Sequence, residues 1–173
     1  MNSDHTLTFE AANGHCPAGE KFSENMIHSG KIPVISCEGS CIRGEIARLA
    51  ANMLAKEEDY GRGCHGEFIS VPESGMARWA LGSDPIVVID GCFLHCHGRL
   101  MAGIYKKEQL RIFDALCFYG KYTDIMDPED VPEAERKETA KLVFEHILRH
   151  LSENTEPVPE TEGVSSCCCG AGK

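Results

Sequence analysis

The sequence predicts an α/β protein, a small three-layer αβα sandwich built on a mostly parallel four-stranded sheet. Three observations predict it. The runs Lys31–Ser36 and Ile86–Ile89 are short, continuous and apolar, as strands buried on both faces are. Between residues 43 and 56, Ile46, Leu49, Ala50, Met53 and Leu54 repeat on one face of a 3.6-residue period, which predicts an amphipathic helix. Such runs and helical stretches alternate along the chain, the pattern of parallel strands joined by right-handed crossovers.

In chain order, residues 1–30 are polar and lack sustained periodicity, so an irregular arm is expected, with Cys16 as an exposed loop thiol beside His15. Residues 32–36 form the first expected strand, which runs into Cys37-Glu38-Gly39-Ser40-Cys41 and then the helix. A second strand is expected within residues 60–69, around Cys64. The string Gly61-Arg62-Gly63-Cys64-His65-Gly66 formally matches a dinucleotide fingerprint, but no apolar strand precedes it and it is not read as one. Met76–Leu81 is a short helix whose Trp79 belongs in the core. Strand 86–90 follows, then a helix over about 100–105 and a fourth strand over about 110–117. Pro132 suits the first turn of a last helix, about Glu133 to Leu151, with Ala140, Val143, Phe144, Ile147 and Leu151 facing inward. His146 and His150 stand one turn apart there, beside Glu145 and Arg149, and are expected on the solvent side. The organisation is therefore an arm (1–30), an α/β metal-binding domain (31–151) and an acidic, Cys-rich tail (152–173) too poor in apolar residues to fold.

Composition narrows the partners. A formal charge of −10 over 173 residues, with no basic stripe, argues against nucleic acid. No window approaches the roughly 18 apolar residues of a membrane helix, and MNSDHTLTFEAANG has no apolar core of a secretory signal, so a cytoplasmic location is expected. In that reducing setting ten cysteines read as metal ligands or redox groups rather than a disulfide framework. Cys167, Cys168 and Cys169 at the tail tip suit passing metal to an exchange partner and motivate a third reading, a heavy-metal- or redox-responsive thiol protein; the expected company is a metal or thiol exchange partner or a homo-oligomer.

The chemistry centres on Pro85–Arg99, where a buried strand ends in Asp90-Gly91-Cys92 and Cys96 follows, flanked by His95 and His97. In doubly wound sheets of the flavodoxin or Rossmann kind, ligands sit beyond the carboxyl ends of the strands, where strand order reverses. Cys37, Cys41, Cys92 and Cys96 all fall at such ends, and Cys64 joins them if it closes its own strand. Four thiolates at about 2.3 Å from one ion make a tetrahedral Zn²⁺ site.

Asp90-Gly91-Cys92 with Cys96, Cys37-x-Gly39 leading through Gly44-Glu45-Ile46-Ala47 into a helix, and Cys64 well upstream resemble the DGC-domain family, over roughly residues 32–118. The resemblance implies zinc held by Cys37, Cys64, Cys92 and Cys96, with Cys41, His95 and His97 as alternates, and leaves the biochemical role open. Cys41 is extra relative to the family pattern, so the choice between Cys41 and Cys64 stays open. A second, local resemblance competes. Cys37 through Arg43 satisfies Cys-x5-Arg, similar to the anion-binding loop of low-molecular-weight tyrosine phosphatases and thioredoxin-linked arsenate reductases. It implies a thiol enzyme acting on an oxyanion, with Cys37 as nucleophile, Arg43 as clamp and Asp127 of Asp127-Pro128 as acid. Gly44 stands where those enzymes carry Ser or Thr.

Overall fold

The computed structural model describes residue 6 and residues 8–153; the tail expected from 152 onward, with Cys167–Cys169, lies almost wholly outside the described residues. Four strands, β1 (Ile32–Ser36), β2 (Tyr60–Arg62), β3 (Ile86–Asp90) and β4 (Leu110–Asp114), form one all-parallel sheet in the order β2-β1-β3-β4. Around it run α1 (Pro17–His28), α2 (Ile42–Leu54), α3 (His65–Ser70), α4 (Gly75–Leu81), α5 (Cys96–Ala102), α6 (Leu116–Tyr119) and α7 (Glu133–Ser152).

Alternation along the strands assigns the two faces, since successive side chains point to opposite sides. Val34, Val87, Ile89 and Phe113 face α2 and α7, meeting Ile46, Ala47, Ala50, Ala140, Val143 and Ile147. Ile35, Ile86, Val88 and Leu110 face the other layer, with Phe68 of α3, Trp79 of α4 and Met101 of α5. Every residue of β3 is buried, as expected of a central strand in a covered sheet. Trp79 is 2% exposed, and its ring N–H donates to the Lys31 carbonyl at 2.7 Å, so the one indole satisfies its polar atom inside the core.

Four stretches differ from the sequence reading. Residues 17–28 are helical rather than irregular; the residues α1 buries are Gly19 and Ser23, which leave no apolar periodicity to read. Pro17 opens that helix behind a Cys16 N-cap, and Glu20 reaches across to accept from the Gly75 amide at 2.5 Å and from Arg78 at 2.8 Å, tying α1 to α4. The expected strand 60–69 is β2 followed by α3. The chain turns at Gly63, where a Cβ would stand 2.7 Å from the Phe68 ring. The fourth strand stops at Asp114, whose carboxylate accepts the Leu116 amide at 2.9 Å and starts α6, so Cys117 is helical. Helix α5 begins at Cys96, ahead of the expected residue 100. On α7, His146 is half-buried and stacks on Phe118 with ring centroids 5.3 Å apart, so it packs rather than faces solvent.

Buried Tyr105 donates its hydroxyl to the Phe68 carbonyl at 2.9 Å, and burial pushes its phenol up to about 12. A group whose folded pKa is raised contributes stability that is complete below its unfolded value, about 10, and is lost as pH rises through the folded one. Denaturant titrations at pH 8 and above pH 11 will therefore show a steeper alkaline loss for the wild type than for Tyr105→Phe. At pH 8 the variant will be about 1 kcal/mol less stable, from the lost hydrogen bond.

Candidate metal centre

In the order β2-β1-β3-β4 the connections leave β1 and β3 in opposite directions, so a crevice opens at their carboxyl ends. Cys37 lies just past β1 and donates its amide to the Ile89 carbonyl at 2.8 Å, while Asp90 ends β3. The two strands that looked richest in the sequence thus deliver their terminal side chains to one place.

The Asp90-Gly91-Cys92 segment has a separate physical reason at each position. Asp90 is 1% exposed, and its carboxylate accepts the amides of His97 at 3.0 Å and Gly98 at 2.8 Å, which closes the first turn of α5. Gly98 leaves room for it, since a Cβ there would stand 3.0 Å from Asp90 Oδ2 and 2.9 Å from Ile112. Gly91 has no Cβ because the backbone of α2 passes against it: an added Cβ would meet Arg43 C and O at 2.8 Å and Gly44 N at 3.0 Å. Gly44 in turn packs on the Gly39 backbone. The loop after β3, the start of α2 and the Cys37 loop are therefore three backbones in direct contact. His95, between the two cysteines, adopts φ 44° and ψ 47°, an uncommon left-handed conformation for a non-glycine and one that concentrates at functional sites.

Ligand-capable atoms of Cys37, Asp90 and His97 lie within 4.8 Å of one another, the group of this kind found among the described residues. His97 Nδ1 stands 3.8 Å from Asp90 Oδ1; it is buried and has no hydrogen-bond partner. Burial lowers the His97 pKa, against the opposing pull of Asp90, so the imidazole is held in the neutral form that ligates metals. The His65 ring at the start of α3 meets it edge-on, with centroids 5.2 Å apart. Burial pushes the Cys37 thiol up, opposed by the amides of Gly39 and Gly91; the Gly39 amide donates to Sγ at 3.4 Å. An empty group of this kind keeps its proton, and a bound cation would remove it. Glu38 closes the rim, ion-paired to Arg62 at 2.6 Å, and the same guanidinium also donates to Ser36 Oγ and the Val34 carbonyl.

A second set of polar groups adjoins this one. Cys41 is the N-cap of α2, and although burial pushes its thiol up, the Gly44 amide and the Arg43 side chain together hold it below its ordinary value. The charges of Arg43 and Cys41 also act on Cys92, whose thiol burial raises. In metal-free protein near pH 8, Cys41 will alkylate with iodoacetamide faster than Cys37 or Cys92; peptide mass mapping over time reads the order.

Of the residues expected from the sequence, Cys37 and His97 are brought together, with Cys41 beside Cys37. Cys92 is half-buried directly after Gly91, and His95 is half-buried with its Nε2 unpartnered. Cys64 is the exposed N-cap of α3, and Cys96 is the exposed first residue of α5. Cys64, Cys92 and Cys96 stand at the same edge of the sheet but outside the 4.8 Å group. Arg43 acts on Cys41 and Cys92, whereas the groups acting on Cys37 are Gly39, Gly91, Asp90 and Cys41. Asp127 is exposed and caps the turn Pro128–Asp130 by accepting the Glu129 amide at 2.9 Å. Asp90 and His65 adjoin this candidate site and were not among the residues expected from the sequence. A strand-terminal acid followed by glycine and a helix start was the available signal for Asp90.

Fold and site together define a doubly wound α/β protein with thiol, imidazole and carboxylate groups gathered at its switch point. A family model, the DGC domain, matches residues 33–137, and the chain belongs to the DGC-domain family. Comparison with curated proteins and with solved structures finds no match. No helix among the described residues is long and apolar enough to cross a membrane.

Proposed function

We propose that the protein binds a metal ion, zinc, at the switch-point edge of its sheet. Cys37, Asp90 and His97 form the inner group, and one or more of the thiols Cys64, Cys92 and Cys96 completes four-fold coordination. Cys41 and His95 are the nearest substitutes. The observation that carries this reading is the buried, unpartnered His97 Nδ1 within a Cys–Asp–His group. A buried imidazole nitrogen with no partner costs free energy unless something binds it, and a thiol plus a carboxylate beside it selects a cation.

The donor set suits zinc, which takes S, N and O ligands together and has no geometric demand beyond four-coordination. Bound zinc would supply Lewis acidity if one position stays open to solvent, or rigidity alone if all four are filled. The protein's own residues do the rest. Asp90, fixed by two α5 amides, orients His97, and the amides of Gly39 and Gly91 offset thiolate charge on Cys37. The tail thiols Cys167–Cys169 would exchange metal with a partner.

Metal analysis of the full chain purified without added zinc tests the reading. About one equivalent of zinc is expected, falling several-fold in Cys37→Ser and in His97→Gln. Less than about a quarter equivalent of any transition metal in the wild type would contradict it.

A further inference from the structure

Five buried side-chain polar atoms among the described residues have no hydrogen-bond partner, and four of them lie at this one edge of the sheet. His97 Nδ1 belongs to the metal centre. The others are Arg43 Nε, Tyr119 Oη and His95 Nε2; the metal reading gives Arg43 and Tyr119 no role and His95 only that of a substitute ligand. They are linked through shared neighbours. The Arg43 backbone lies against Gly91, the His95 amide donates to the Cys92 carbonyl at 3.0 Å, and Ala115, which leads into α6 and Tyr119, donates its amide to the Asp90 carbonyl at 2.8 Å.

We propose that Arg43, Tyr119 and His95 form a subsite for a small oxyanion, a carboxylate or a phosphate, beside the metal centre. The proposal deepens the metal reading by naming the class of ligand the centre meets, although the anion's own contacts use no residue of the Cys37–Asp90–His97 group.

What these groups lack fixes what they need. A guanidinium N–H can only donate, and a tyrosine hydroxyl and an imidazole N–H can donate as well, so the missing partner is rich in acceptors. It is also negative. Among the described residues Arg43, Arg99, Arg111 and Arg149 have no carboxylate within 4.0 Å, and of these four only Arg43 holds a buried, unbonded Nε. The nearby acid, Asp114, is already engaged by the Leu116 amide at 2.9 Å and by Cys117. Arg43 does lie against the Cys41 thiol, yet its Nε stays buried and unbonded. The ligand sits at the N-terminus of the 13-residue α2, whose dipole adds to the attraction for an anion. Planar, forked donation is the geometry by which arginine recognises carboxylate and phosphate.

Calorimetric titration of the full chain at constant ionic strength tests this, with sodium phosphate in one arm and sodium acetate in the other. Wild type, Arg43→Gln, Arg43→Lys and Tyr119→Phe are compared, each as purified and after chelation. Saturable binding of at least one anion is expected, and the preferred arm tells a phosphate site from a carboxylate site. Affinity will fall at least about tenfold in Arg43→Gln and about threefold in Tyr119→Phe. No saturable binding of either anion would overturn the proposal, and so would wild-type affinity in Arg43→Gln. If Arg43→Gln does not fold, unchanged affinity in both Arg43→Lys and Tyr119→Phe overturns it equally. Zinc content measured on the same samples separates the two readings. Arg43-dependent binding in protein that never holds metal sinks the metal reading and keeps this one. Binding that disappears on chelation yet survives in Arg43→Gln makes the metal the anion's anchor and refutes the subsite.

Discussion

Replacing Gly91 by alanine will destabilise the protein by about 3 kcal/mol, at the upper end for overpacking. The added Cβ meets only backbone, Arg43 C and O at 2.8 Å and Gly44 N at 3.0 Å, and backbone cannot swing away as a side-chain tip does. The start of α2 must shift or the β3 loop must move, and either displaces Cys37 from Asp90 and His97. Urea unfolding of the metal-free chain gives the stability loss, and zinc titration gives the accompanying loss of affinity. Gly82→Ala is the control. A Cβ there stands 3.5 Å from the Arg78 carbonyl at ordinary helical angles, so its effect will stay within about 1 kcal/mol.

Asp90→Asn will have the second large effect, on metal affinity and on α5 together. The carboxylate accepts two amides and faces His97 from a position 1% exposed. An amide of the same shape keeps one acceptor oxygen and turns an NH₂ group toward either a backbone N–H or the imidazole. A buried donor facing a donor costs about 1–3 kcal/mol. Asp90 is itself one of the proposed inner ligands, so metal affinity will fall by at least the roughly 10- to 100-fold that loss of a mere supporting partner costs. Competition with a chromophoric zinc chelator measures the second quantity, and the unfolding midpoint of the apoprotein measures the first. Asp90→Ala will cost more stability than Asp90→Asn, because it leaves both amides and a cavity behind.

The sheet was legible because its two inner strands are apolar without interruption, and burial on both faces leaves that mark in a sequence. Helix α2 was legible because a full apolar stripe packs it against the sheet. Helix α1 was not, since it docks through Gly19 and Ser23 and through Glu20 capping α4, contacts that spacing alone does not reveal. The gathering of Cys37 with the end of β3 followed from strand-end placement, which a parallel sheet makes a general rule. Which strand-end side chains come within 4.8 Å of one another did not follow. Whether a strand-end thiol points inward depends on which backbones touch, and here Gly91 against α2 and Gly98 beneath Asp90 decide it. The family resemblance pointed to Cys64 and cysteine spacing to Cys96, and each opens a short helix at an exposed position. Asp90 looked like part of a motif and nothing more until its two amide partners gave it a position in space.

The central claim is that one cation is held where β1 and β3 end. A crystal of the full chain, with diffraction recorded on either side of the zinc absorption edge, tests it most directly. The account predicts a single strong anomalous peak bonded to Cys37 Sγ and the His97 imidazole. A peak bonded to neither residue, or no peak from protein that carries zinc in solution, would contradict it.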